Sequence, residues 1–303
     1  MIINKFKIIF YVLSFLMTTY SFANVHEKRD IAIQINELRI DYSDKRIIAL
    51  SLSAIEMLDI MGVKPVGISL TGSQTLPYYL ASKMKNVEIV GSVANPSLER
   101  IQSLKPDLII IDRIYEEQKE IVNKLNKIAP VLNIRSEDYK STLNVLKQIG
   151  QVFKKEKETT HFINKFNKTI YEVKQNSSNK KRTILAIYIT NNKIWAWTDK
   201  SFLASLLQEI NVDYAFKEKS NSPYKDLTEL NFEKILEIDP DKILVFEDPG
   251  KDLIPFLEKN SIWKNLKSVK NKNISVVNRD IWSRSRGPLA AEVIVKTMEN
   301  DSK

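Results

Sequence analysis

The sequence predicts an α/β protein of two Rossmann-like lobes joined by a long rigid helix, and three observations lead there. Strand-like apolar runs alternate with helix-length stretches along most of the chain, the order of a parallel sheet with right-handed crossovers. A βα unit of the first half recurs in the second half. A long stretch of helical periodicity separates the two copies.

The chain opens with Lys5 and Lys7, an apolar run from Ile8 to Met17, and Ser21-Phe22-Ala23. A charged start, an apolar core and small residues at a cleavage point form the secretory pattern. The apolar core is shorter than the roughly 20 residues that span a bilayer, so residues 1–23 are expected to be a cleaved signal peptide. The chain has no cysteine to carry a lipid anchor, a disulfide or a thiolate metal site. These features predict a soluble exported protein, retained in a periplasm.

The repeat is carried by residues 97–111 (SLERIQSLKPDLIII) and 231–245 (NFEKILEIDPDKILV), an offset of 231 − 97 = 134. They share Glu99 with Glu233, a following base and Ile, and Pro106-Asp107 with Pro240-Asp241. Each reads as a short amphipathic helix, a proline stop and a strand without polar alternation, as strands covered on both faces show. Upstream, strands starting at Arg46 and Arg182 each lead into an apolar helix, which ends at Gly62-Val63 and at Asn211-Val212 respectively.

Between the copies, Leu143, Leu146, Ile149, Val152 and Phe153 fall on one helical face. Phe162, Ile163, Phe166, Ile170 and Val173 follow after a charged run. A helix of about 20 residues spans ~30 Å, enough to cross from lobe to lobe with a stiff hinge. The expected domains are therefore a first lobe over 24–140, a helical connector over 141–178 and a second lobe over 179–303.

The formal net charge of +9 falls to 44 − 37 = +7 when the two leader lysines are removed. Such a charge favours anionic ligands, but the lysines are dispersed and a nucleic-acid module would cluster them along one element. His26 and His161 have no metal-ligand neighbour at a suitable spacing, and GxSxG, Walker and GxGxxG motifs are missing. An exported α/β hydrolase is the rival from another class, and it would need a nucleophile paired with a base. The pattern offers neither catalytic residues nor a metal site.

Three of the ten arginines lie in the eight residues from Arg279 to Arg286. In an extended segment Trp282, Arg284 and Arg286 would share one face, directly before a helix opened by Gly287-Pro288. Forked guanidiniums beside a helix N-terminus make an anion site. Trp197, at i+2 from Trp195, is expected to line the cleft. Arg113 and Tyr115 should stand at the carboxyl end of the strand over 108–112, and Tyr78 in a loop after a strand over 66–70. In open α/β sheets ligands bind at those ends, here between the lobes.

These phrases, with residues 90–99 (VGSVANPSLE) and 280–292 (DIWSRSRGPLAAE), resemble the periplasmic binding proteins for iron siderophores, haem and cobalamin. The last phrase resembles the iron(III) dicitrate branch most closely. Ser51-Leu52 stands where the family often has an acidic-aromatic pair, and Val93 where it often has Arg.

The resemblance implies a non-catalytic binding component of an ABC importer, holding an anionic ferric citrate-like chelate between its lobes. Glu99 and Glu233 would dock on the inner-membrane permease. No cofactor is implied, because iron(III) would bind only with its chelator, and the protein would act as a monomer. Catecholate or hydroxamate siderophores, haem and cobalamin remain alternative ligands.

Overall fold

The computed structural model describes Tyr42 and residues 44–176, 182–218 and 226–300. The expected signal peptide and the last two connector residues, 177 and 178, lie outside them. The first lobe runs β1 (Ile47–Ala49), α1 (Leu52–Ile60), β2 (Gly67–Leu70), α2 (Tyr78–Ala81), β3 (Glu88–Ser92) and β4 (Asn95–Pro96). It continues through α3 (Leu98–Ser103), β5 (Leu108–Ile111), α4 (Lys119–Leu125) and β6 (Val131–Asn133). The sheet order is β4-β3-β2-β1-β5-β6, parallel except for β3 with β4. β1, β2 and β5 are buried along their whole length, which is why their sequences lack polar alternation.

Helices α5 (Tyr139–Val152) and α6 (Glu156–Asn176) follow. The periodicity predicted a helical connector, and the structure divides it in two at Phe153–Lys155, where Lys154 takes a left-handed φ of 53°. The 21 residues of α6 correspond to ~31 Å at 1.5 Å per residue. Its stripe of Phe162, Phe166, Ile170 and Val173 is buried.

The second lobe contains β7 (Thr183–Thr190), β8 (Lys193–Trp197), α7 (Phe202–Glu209), β9 (Asp213–Tyr214), β10 (Leu227–Leu230) and α8 (Phe232–Ile238). Then come β11 (Lys242–Glu247), α9 (Ile254–Glu258), α10 (Lys267–Lys270), β12 (Ile274–Asn278) and α11 (Pro288–Asn300). Its sheet is ordered β10-β8-β7-β11-β12, with β9 beside β7; β7, β11 and β12 are parallel. The last helix packs on α1 as well as on α5, α6 and α7, so it belongs to the seam between lobes.

The repeat is a repeat of physical devices. Ser97 and Asn231 cap α3 and α8 by accepting the N–H three residues on. Lys105 and Asp239, each just before a proline, are left-handed with φ of 46° and 41°. The aspartates after the prolines serve the neighbouring strand: Asp107 accepts the Arg46 N–H and Asp241 the Thr183 N–H, both at 2.8 Å. Gly62 and Asn211 end their helices in the left-handed region, with Val63 donating to the Leu58 carbonyl and Val212 to the Leu207 carbonyl.

Candidate functional site

Both sheets reverse strand order in the middle, between β1 and β5 in one lobe and between β7 and β11 in the other. Such switch points open a crevice at the carboxyl ends of the strands. Two clusters of paired charges lie there.

The first cluster bridges the lobes. Arg113, which follows β5, donates from Nη2 to Asp226 Oδ2 at 3.0 Å. Arg286, just before α11, donates from its own Nη2 to the same oxygen at 2.6 Å. Burial would raise Asp226, but Arg286 and Arg113 outweigh it and hold the carboxyl below its usual range. Burial, with Arg113 alongside, lowers Arg286. Burial raises the Asp112 carboxyl above its usual range although both guanidiniums lie within electrostatic reach, and its Oδ1 accepts the Ile114 N–H at 3.0 Å.

The second cluster sits at the ends of β11 and β12. Arg284 donates from Nη1 to Asp280 Oδ1 at 2.8 Å and to Asp248. Burial works against its charge, yet Asp248 and Asp280 hold it above the ordinary guanidinium value. Arg279 reaches Asp248 at 3.4 Å, and its Cζ stands 3.4 Å from the ring centre of Tyr188 on β7. Its Nε is buried without a hydrogen-bond partner among the described residues. From the other lobe, Thr71 Oγ1 donates to Asp280 Oδ1 at 2.7 Å and Ser73 donates to Oδ2. A Cβ on Gly72 would lie 3.4 Å from Arg284 Nη2, so this loop rests on the guanidinium.

Beside the clusters, Trp197, Phe202, Leu203, Trp282, Ser283 and Arg286 line a shallow, closely packed recess, in which Trp197 and Trp282 are largely buried, each 5% exposed. Trp197 also packs on Phe246 of β11 at 4.5 Å between ring centres.

A third device joins α1 to α11. Glu56 is fully buried; its Oε1 accepts from Tyr79 at 2.6 Å and from Ser285, and its Oε2 accepts the N–H groups of Leu289 at 2.8 Å and Ala290 at 3.0 Å. Burial pushes this carboxyl up to about 7, against four hydrogen bonds that pull it down.

The structure thus gathers Arg113, Arg284, Arg286, Trp282 and Trp197 around one seam, and it corrects several sequence expectations. Trp282, Arg284 and Arg286 do not alternate along an extended segment: residues 280–284 form one wide helical turn, and Arg286 is left-handed at φ 48°. The α11 N-terminus binds no outside anion at its first amides, because the Glu56 carboxylate accepts from them. Tyr115 lies in the first-lobe core, 1% exposed and packed among Ile48, Ile109 and Ile111. The 3-10 turn after β5 rolls it inward while Arg113 stays at the mouth. Tyr78 opens helix α2, stands 70% exposed and packs edge-on to Tyr79. Glu99 and Glu233 are exposed in the first turns of α3 and α8, in equivalent places on the two lobes.

Sequence reasoning missed Asp226, Asp248 and Asp280, and it quoted Arg279 without placing it in the site. Asp280 was visible only as a neighbour of Trp282. The other two aspartates carry no motif, and only their positions after β11 and before β10 bring them to the seam.

Comparisons with known proteins agree with this architecture. The periplasmic binding protein family matches residues 47–280. YhfQ of Bacillus subtilis (strain 168) is 32% identical over 270 residues, covering 85% of this chain and 83% of its own. The Fe(3+)-citrate-binding protein YfmC of the same organism is 29% identical over 273 residues, covering 89% and 84%. The crystal structure of the petrobactin-binding protein YclQ of Bacillus subtilis superposes with a TM-score of 0.73 at 25% identity, over 86% of this chain and 92% of that one. With its two switch-point sheets, helical connector and seam of arginines, this chain belongs to the periplasmic binding protein family.

Proposed function

We propose that the chain is the substrate-binding component of an ABC importer that captures an iron(III) chelate of the ferric citrate type between its lobes. The observation that carries this reading is the convergence of Arg113, Arg279, Arg284 and Arg286 where the two sheets end, beside Trp197, Trp282 and Tyr188. Planar guanidiniums suit the carboxylates of a chelator, and aromatic faces suit its bulk. The similarity to YfmC, named for ferric citrate, supports the same ligand class.

Iron would be cargo, contacted through its chelator; among the described residues no group of three or more His, Cys, Asp or Glu could hold a metal ion. The protein works as a monomer outside the cytoplasm and delivers its ligand to an inner-membrane permease, on which Glu99 and Glu233 dock. Their exposure at matching helix starts supports that role. No part of this cycle requires catalysis.

The test is tryptophan fluorescence during titration with ferric citrate, other ferric siderophores, haem and cobalamin. Trp197 and Trp282 lie at the recess, so ferric citrate should change the emission saturably. Saturable binding of haem or cobalamin with no response to any ferric chelate would overturn the reading.

A further inference from the structure

The arginines of the seam are already matched by acids. In the inter-lobe cluster Arg113 and Arg286 face Asp226 and Asp112; in the other, Arg279 and Arg284 face Asp248 and Asp280. Two positive and two negative groups stand in the second cluster, and in the first both guanidiniums share the Asp226 carboxylate, so neither cluster as built offers its arginines unopposed to an arbitrary anion. Asp226 differs from the other acids in its placement. It stands one residue before the edge strand β10, and its Oδ2 alone receives a guanidinium from each lobe.

Resting on the proposed function, we infer that Asp226 is a specificity-determining residue: an internal carboxylate that screens ligands by competing for the Arg113–Arg286 fork. A single ligand carboxylate entering the fork exchanges one charge-assisted bond for another and gains little, while Asp226 loses two partners in a partly buried site. A large ferric chelate also gains contacts with Arg279, Arg284 and the aromatic recess, so it can displace Asp226. Iron-free citrate, with fewer simultaneous contacts, cannot. Asp226 therefore raises the threshold for binding without contributing a contact of its own to the preferred ligand.

The experiment is calorimetric titration of the full chain and of Asp226→Asn and Asp226→Ser with ferric citrate and with iron-free citrate, each variant first checked by thermal melting. Asn keeps the shape and removes the charge; Ser opens the fork. In both, iron-free citrate should bind at least tenfold more tightly than in the unaltered protein, and ferric citrate should gain by a similar factor, because both ligands are spared the same displacement. An unchanged affinity for iron-free citrate overturns the screening role. Equal weakening for both ligands also overturns it, because Asp226 would then support the site. If the unaltered protein binds no ferric chelate, the proposed function fails, yet the gain or lack of citrate binding in the variants still decides the role of Asp226.

Discussion

Removing the Glu56 carboxylate tests whether one buried acid holds the last helix against the first lobe. In Glu56→Ala the Leu289 and Ala290 N–H groups and the Tyr79 and Ser285 hydroxyls lose their acceptor. The hydroxyls can turn to other partners, but the two amides at the start of α11 cannot. A buried donor left unsatisfied costs about 1–3 kcal/mol, so destabilisation of about 3 kcal/mol or more is expected. Glu56→Gln can keep an oxygen toward the amides and present its NH2 to the two hydroxyls, which can accept, so its cost should stay near 1 kcal/mol.

The two variants also differ in their response to pH. The unfolded chain releases the Glu56 proton near its ordinary 4.5, while the folded protein keeps it up to about 7. The stability this contributes is complete below pH 4.5 and is lost as pH rises through 7, by roughly 3 kcal/mol for a shift of that size. Denaturant melts from pH 4 to pH 8 should therefore show Glu56→Gln gaining on the unaltered protein as pH rises. A difference between the two that does not change with pH would refute the reasoning, and so would a Glu56→Ala protein as stable as the original.

Four further outcomes are expected. Arg286→Ala should weaken ferric-chelate binding about tenfold or more, since a bond to a charged group is worth about 1.5–3 kcal/mol; calorimetry with a control melt checks this, and Arg284→Ala should act likewise. Tyr115→Phe should leave chelate affinity unchanged, because that ring is core and its hydroxyl has no hydrogen-bond partner among the described residues; a fluorescence titration checks it. Gly287→Ala should destabilise the fold, because the new Cβ would lie 2.2 Å from Glu56 Oε2, which a thermal melt would report. Replacing Glu99 and Glu233 together by Ala should abolish growth on the ferric chelate as sole iron source while purified protein still binds it, and Arg in their place should be worse, because it would reverse the charge offered to the importer.

The fold was largely legible because its signals are local. A buried parallel strand needs a continuous apolar run, as at 108–111 and 242–247. A helix followed by a left-handed residue and proline leaves the same trace at Lys105-Pro106 and Asp239-Pro240. The repeat therefore announced two lobes, and the periodicity of Phe162, Phe166, Ile170 and Val173 announced the helix between them. Part of the site was legible for the same reason: Arg113 follows a strand end, and the arginines from 279 to 286 cluster in sequence.

Tertiary structure alone decided what those arginines do. Asp226 lies 113 residues from Arg113 and 60 from Arg286, and Glu56 lies more than 220 residues from the amides it caps. Nothing in the spacing of either residue marks it, since ion pairs and caps across a seam depend on how two lobes pack and leave no periodic trace. The turn at residues 280–284 likewise replaced the expected alternation, because Asp280 must reach Thr71 and Ser73 in the other lobe while Trp282 lines the recess. The sequence by itself determined two α/β lobes, a helical bridge and an arginine-rich seam. Only their packing decided that those arginines come already paired, because charge compensation is set by distance in space.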